Sequence, residues 1–354
     1  MKPVLFITGH VPAYRVEGLR LLHEREEIEL ALFGGRSLHG GAAAPAELPV
    51  PTLRLPPRQL WGLASSGRHR AVVIPTGGRV APLAGWAGAR RAGLPIVLWA
   101  SLWAHPRSAA HLLSRPLLGR LYRTADAVVT YGPHVSRYVR ERGAHNVHVA
   151  PQAVEDSFWR AAPSVEPLPA GWPAGASPRF LFVGRDAPEK GLDVLRAAWR
   201  TVAASRPEAA LVLAGGATAA IPGATSVGVL RPEQLRDVYA ACHVLIVPSV
   251  RTRTFREPWG LVVNEAMDRG LPVIASDAVG AAAGGLVRDG ENGLVVPAGD
   301  AAALAEAIER LCADPQLLRA MGVKGAEDVR AYSGDAWAEG FSAALRTLGL
   351  ARER

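Results

Sequence analysis

Short runs of β-branched and apolar residues, separated by longer stretches with helical spacing, recur along the chain and limit what it can fold into. The first set comprises Pro3–Thr8, Ile28–Phe33, Ala71–Pro75, Pro95–Ser101, Ala127–Tyr131 and Val147–Ala150. A second set restarts with Phe180–Val183, Ala210–Ala214, Ser226–Val229, Val244–Pro248, Pro272–Ser276 and Leu294–Val296. Near-continuous apolar strands between helices indicate parallel sheets covered on both faces. Two such sets predict an α/β chain of two Rossmann-like, doubly wound domains facing across a cleft. The 354 residues suffice for both, at roughly 150 residues per domain.

Residues 161–178 (AAPSVEPLPAGWPAGASP) hold neither period and read as a linker. The expected domains are therefore 1–160 and 179–331, followed by a C-terminal segment at 332–354. There Ser333-Gly334-Asp335 can cap a last helix running through Leu350. Its docking place is open at this level, and a return to the first domain is one option.

In open parallel sheets, ligands sit beyond the carboxyl ends of the strands. The residues there are Gly9-His10, Thr76-Gly77-Gly78 and His105 in the first half. In the second they are Gly184-Arg185, Gly215-Gly216, the stretch from Ser249 to Glu257, and Ser276-Asp277.

Composition removes several alternatives. Two cysteines, Cys242 and Cys312, are too few for a disulfide framework or a four-cysteine metal site, and fit a reducing cytoplasm. No apolar run approaches the ~20 residues of a membrane span, and Val4-Leu5-Phe6-Ile7 is too short for a signal peptide. The formal net charge of +8 is the sum of unlike halves: residues 1–160 carry +10 and the remainder −2. Of the 40 cations 37 are arginine, so Lys190 in its loop stands out from the background.

Two constellations carry chemistry. In Glu257-Pro258-Trp259-Gly260-Leu261-Val262-Val263-Asn264-Glu265-Ala266-Met267, two carboxylates lie eight positions apart. Glu265 falls among apolar residues at a helix start, where a carboxylate must be hydrogen-bonded to be tolerated. Ionised, it offers only acceptors, which suits paired sugar hydroxyls. In Val183-Gly184-Arg185-Asp186-Ala187-Pro188-Glu189-Lys190-Gly191, a guanidinium and an ammonium flank a tight loop before a helix. Such a pair holds diphosphate oxygens, with the helix N-terminus behind it. The plainer alternatives are solvated carboxylates and surface cations.

Together these segments resemble the retaining, nucleotide-sugar-dependent glycosyltransferases of family 4, which have the GT-B fold. The resemblance covers essentially the whole chain and is strongest from Phe180 to Val296. Besides the block from Glu257 to Glu265 it rests on Arg269-Gly270-Leu271-Pro272-Val273-Ile274-Ala275-Ser276-Asp277, on Asp289-Gly290-Glu291-Asn292-Gly293-Leu294-Val295-Val296-Pro297, and on Pro151-Gln152-Ala153-Val154.

The resemblance implies transfer of a hexose-type sugar from a UDP- or GDP-sugar to an acceptor hydroxyl. Glu257 would accept from donor-sugar hydroxyls, with the backbone amides around Trp259, Gly260 and Leu261 nearby. Glu265 would take the ribose hydroxyls, while Arg185 and Lys190 would neutralise the leaving diphosphate next to Gly184. His105 would face the donor sugar, ahead of the competing His10 and His134 because it follows a strand end in the matching place. The loop from Gly9 to Gly18, with His10 and Arg15, would lie near phosphates and acceptor. No Asp-x-Asp pair occurs, so no metal and no other cofactor is expected.

The basic first half would bind the acceptor, whose identity stays open, as does the oligomeric state. Arg107, Arg115, Arg120 and Arg123 alternate with Leu117, Leu118 and Leu121. That pattern suits a peripheral contact at the inner membrane face, but a covering helix is preferred because Pro116 would interrupt a long interfacial one. A sugar phosphorylase or nucleotide-sugar epimerase of the same fold is the competing enzyme. A nucleic-acid-binding protein is the competing class. It needs aromatic-interleaved basic stripes or a known module, and neither is present.

Overall fold

The central apolar runs become strands buried on both faces, because alternate side chains point to opposite sides of the sheet and helices cover both, while the edge strands at 147–149 and 224–228 stay partly exposed. A computed structural model describes residues 1–34, 47–78, 80–164, 166–216 and 221–352. It divides into two units: Met1–Glu155 with Tyr332–Arg354, and Asp156–Ala331.

The first unit contains β1 (Val4–Thr8), β2 (Ile28–Leu32), β3 (Thr52–Arg54), β4 (Ala71–Pro75), β5 (Ile96–Ala100), β6 (Ala127–Thr130) and β7 (Val147–Val149), all parallel, in the order β3-β2-β1-β4-β5-β6-β7. The sequence reading has six strands here. The seventh, β3, is a three-residue edge strand after Pro51, too short to show a period. Val4 and Phe6 face one layer of the core, and Leu5 and Ile7 the other.

The last helix, Gly334–Thr347, completes the first of these layers. Its Trp337, Phe341 and Leu345 pack with Phe6, Leu19 and Leu22, and the rings of Trp337 and Phe6 lie 6.2 Å apart. Ser333 Oγ accepts from the Ala336 amide at 3.2 Å and caps the helix. Glycine permits the close approach. A Cβ at Gly340 would lie 2.3 Å from the Val149 carbonyl oxygen, and one at Gly18 would lie 2.9 Å from the Trp337 ring.

The second unit contains β8 (Arg179–Val183), β9 (Ala210–Ala214), β10 (Ala224–Gly228), β11 (Val244–Val247), β12 (Val273–Ser276) and β13 (Gly293–Val296), again all parallel, in the order β10-β9-β8-β11-β12-β13. The helix Leu192–Ser205 buries Leu195 and Trp199 against Phe180 and Leu211, beside Leu304 and Ile308 of the helix Ala301–Ala313.

Residues 156–160 form a short helix that packs within the second unit. Arg160 Nε donates to Asp268 Oδ1 at 2.8 Å, and Arg269 Nη1 donates to the Trp159 and Ala161 carbonyls at 2.9 and 2.6 Å. The crossing of the chain into the second unit thus falls at Glu155–Asp156, before this helix. Pro116 does not break its helix, which runs Ala109–Thr124 with the proline inside. Within it Leu121 and Tyr122 are buried while Arg115, Arg120 and Arg123 face solvent, the pattern of a covering helix. Among the described residues no helix is long and apolar enough to cross a membrane.

Candidate functional site

Strand order reverses between β8 and β11, the switch point where an open sheet leaves a crevice at its carboxyl edge. The two constellations leave the sheet on either side of it, one after β8 and the other after β11. Their charged ends meet: Lys190 Nζ donates to Glu257 Oε2 at 2.5 Å. Glu257 is only 4% exposed, so the ammonium answers a carboxylate already removed from most of its water.

Lys190 closes a single helical turn, Pro188–Lys190, and Gly191 follows at φ +69° before the helix Leu192–Ser205. A Cβ at Gly191 would lie 2.0 Å from the Pro248 carbonyl oxygen. Only glycine brings this loop against the strand end at β11, and the Val250 amide donating to the Glu189 carbonyl at 2.9 Å fastens it there. Arg185 lies more openly in the same loop and donates through Nη2 to Glu189 Oε1 at 2.6 Å. Gly184 ends the strand with its amide on the Ala214 carbonyl at 3.0 Å, and a Cβ there would press on the Phe182 ring at 3.0 Å.

The turn after Glu257 is built from the inside. The Trp259 ring is 2% exposed and donates through Nε1 to Asn264 Oδ1 at 2.8 Å. Its side chain is thus packed inside, and its carbonyl accepts from the Ala281 amide at 2.8 Å. The Gly260 and Leu261 carbonyls accept from the Val263 and Glu265 amides at 3.0 and 3.2 Å as the helix Val262–Asp268 begins. Glu265 is half-buried on this helix and accepts from Tyr239 O–H at 2.8 Å. Burial, with a smaller contribution from Asp268, pushes its carboxyl up to about 7, against the opposing hydrogen bond from Tyr239. Burial also holds the Tyr239 hydroxyl well above its ordinary value, so it stays a donor.

Tyr239 was not among the residues singled out from sequence. The signal was a tyrosine in the apolar stripe of the helix Pro232–Ala241, because a buried phenol needs a partner for its hydroxyl.

In the first unit Gly9 and His10 follow β1 and His105 lies beyond β5, on the same edge of the sheet, and all three are half-buried. His134, the competitor of His105, is buried with its ring 4.9 Å from Trp103 in edge contact. Arg15 lies deep in this unit. It is 4% exposed, its Nη2 donates to Gln152 Oε1 at 2.6 Å, and its guanidinium lies 4.6 Å over the Trp337 ring. Tyr14 and Trp99 complete the surround at 5.3 and 5.7 Å. A cation enclosed this way is braced by aromatic rings as part of the packing around the loop; desolvation lowers its pKa. Among the described residues no three His, Cys, Asp or Glu side chains group so as to hold a metal ion.

Comparison with known proteins places these features in a family. Residues 177–314 match the family model of glycosyl transferases group 1. A D-inositol 3-phosphate glycosyltransferase of Nocardia farcinica is 34% identical over 49% of this chain and 42% of its own. A GDP-mannose-dependent alpha-(1-6)-phosphatidylinositol monomannoside mannosyltransferase of Mycolicibacterium smegmatis is 32% identical over 69% of this chain and 66% of its own. The chain spans less than half the length of the first curated relatives it matches. The fold is that of the GT-B glycosyltransferases: HepE of Anabaena, solved with UDP and glucose, superposes over 99% of this chain and 100% of its own, with a TM-score of 0.74 at 17% identity.

Proposed function

We propose, from the premise that this chain belongs to the group 1 glycosyltransferases of GT-B fold, that it moves a hexose-type sugar from a UDP- or GDP-sugar to an acceptor hydroxyl with retention of configuration. The observation that carries this reading is the Lys190–Glu257 pair at the β8/β11 switch point, with Glu257 eight positions before Glu265 in the chain.

The reaction breaks the bond between the anomeric carbon and the diphosphate oxygen, and negative charge collects on the leaving group. Preorganised cations lower that barrier. Lys190, on a flexible stem beside the buried carboxylate, and Arg185, on the open side of the loop, supply the charge that a metal ion supplies elsewhere. The transfer is therefore metal-independent. Glu257 accepts hydrogen bonds from donor-sugar hydroxyls and orients the ring. Glu265 accepts from the ribose, and His105 faces the donor sugar. The acceptor hydroxyl forms the new bond at the same carbon and face, and its proton passes to the leaving diphosphate. The arginine-rich first domain holds the acceptor.

Release of UDP or GDP from a panel of nucleotide sugars, with and without acceptor and with excess EDTA, tests the reading. Turnover in EDTA that falls at least tenfold in Glu257→Ala supports it, on the scale of a lost site contact. Activity that needs inorganic phosphate or a divalent metal contradicts it.

A further inference from the structure

Tyr239 is fully buried, and its hydroxyl has one good acceptor, Glu265 Oε2 at 2.8 Å; the Val262 carbonyl is marginal at 3.5 Å. Among the described residues no other group hydrogen-bonds the Glu265 carboxylate. The phenol ring is itself held. Trp159 meets it edge-on at 5.6 Å and 90°, and the helix carrying Trp159 is tied through Arg160 and Arg269 to the end of the helix that carries Glu265. Donor, acceptor and brace are thus joined in a closed loop around one carboxylate.

A glutamate has three rotatable bonds, and ordering them when a ligand arrives costs affinity. A donor fixed on one carboxylate oxygen pre-sets the side chain and leaves the second oxygen's lone pairs for a ligand. We propose that Tyr239 is a positioning residue, whose hydroxyl holds Glu265 ready to accept from the vicinal ribose hydroxyls of a nucleoside diphosphate. This rests on the reading of Glu265 given above and extends it to a residue that never touches the ligand.

The titratable and charged groups around this carboxylate come from every neighbouring element. Tyr239 and Cys242 belong to the helix Pro232–Ala241 and its end, and Asp268 lies one turn on from Glu265. Asp156 and Arg160 face Asp268 from the short helix before the second unit's first strand. Arg236, Asp237 and Arg269 form a further cluster, and Lys324 and Asp328 pair with each other on the helix Pro315–Asp328. Of these only Tyr239 donates to Glu265.

The test is calorimetric titration of UDP and GDP, each with its 2′,3′-dideoxy form, into the wild-type chain, Tyr239→Phe, Glu265→Gln and the double variant. Tyr239→Phe keeps the ring on Trp159, and a thermal scan checks that it folds. We expect it to weaken the bound ribonucleotide about fivefold, the scale of one hydrogen bond. The dideoxy form should weaken less, so the ribo/dideoxy ratio falls. That ratio cancels titration of the phosphates; its midpoint against pH should move upward in Tyr239→Phe, since the carboxylate loses a donor that favoured its charged form. In the Glu265→Gln background the same change should alter the ratio less.

An unchanged ratio and midpoint in a folded Tyr239→Phe overturn the proposal, as does equal weakening of both nucleotide forms, which marks a packing role only. If the wild-type chain binds neither UDP nor GDP, the reading of the site fails and this inference with it.

Discussion

Lys190 and Glu257, 67 positions apart in sequence, meet at 2.5 Å across the point where the second sheet reverses its strand order. The pair joins the loop after β8 to the turn before the Glu265 helix, so the charge proposed for a leaving group also sets the carboxylate proposed for the sugar. Lys190→Ala should therefore show two effects at once. Nucleotide-sugar affinity falls at least tenfold for the lost charge, and stability falls by roughly 1–3 kcal/mol because the partly buried Lys190–Glu257 hydrogen bond is lost. Calorimetric binding and thermal unfolding measured on the same sample check both. A loss of affinity with unchanged stability would separate Lys190 from Glu257.

Gly191→Ala should disable the same loop without removing any charge. A Cβ at φ +69° and 2.0 Å from the Pro248 oxygen cannot be placed unless the loop moves off the end of β11. A destabilisation of about 2–4 kcal/mol and loss of nucleotide binding are expected. Denaturant unfolding and titration with UDP and GDP report them, and wild-type values in both would refute the close approach.

The raised carboxyl of Glu265 makes stability fall as pH rises. Its folded pKa, about 7, lies above the ordinary carboxylate value. The contribution is then complete below the unfolded pKa and is lost as pH passes up through the folded one. Asp268, held up to about 6 mainly by burial, acts in the same direction. Glu265→Gln cannot ionise, so it should gain on the order of 2 kcal/mol over wild type by about pH 8 and much less at about pH 5. Unfolding midpoints at both values test this, and a pH-independent difference would count against it.

Arg15→Ala should behave as a core mutation. It removes the guanidinium from Trp337 and the hydrogen bond to Gln152. Stability should drop by about 2–4 kcal/mol while nucleotide affinity stays within about twofold. A folded variant of full stability that binds nucleotide poorly would place Arg15 at the ligand instead.

Much of the candidate site's geometry has local signals in the sequence. The chain's rare lysine, a glycine after it, and two carboxylates on either side of a Pro-Trp-Gly turn each carry local information, because loop chemistry is written in neighbouring residues. Strand runs were legible for the same reason: burial on both faces demands unbroken apolar stretches. A guanidinium in a loop after a strand looks alike in sequence whether it meets a phosphate or an aromatic ring, and the ring that Arg15 meets, Trp337, lies 322 positions away. Tyr239 was passed over because an apolar stripe accounts for its ring and says nothing of where its hydroxyl goes.

From the sequence alone follow two doubly wound sheets and the residues standing at their carboxyl edges, since both depend on periodicities of two and 3.6 residues that neighbours establish. Only the tertiary structure decides which charge answers which. It places Lys190 on Glu257, Tyr239 on Glu265 and Arg15 on Trp337, and it returns the last helix to the first sheet. Those choices rest on burial and close packing between distant segments. A polar group that loses its water must take whichever partner the folded chain brings within reach.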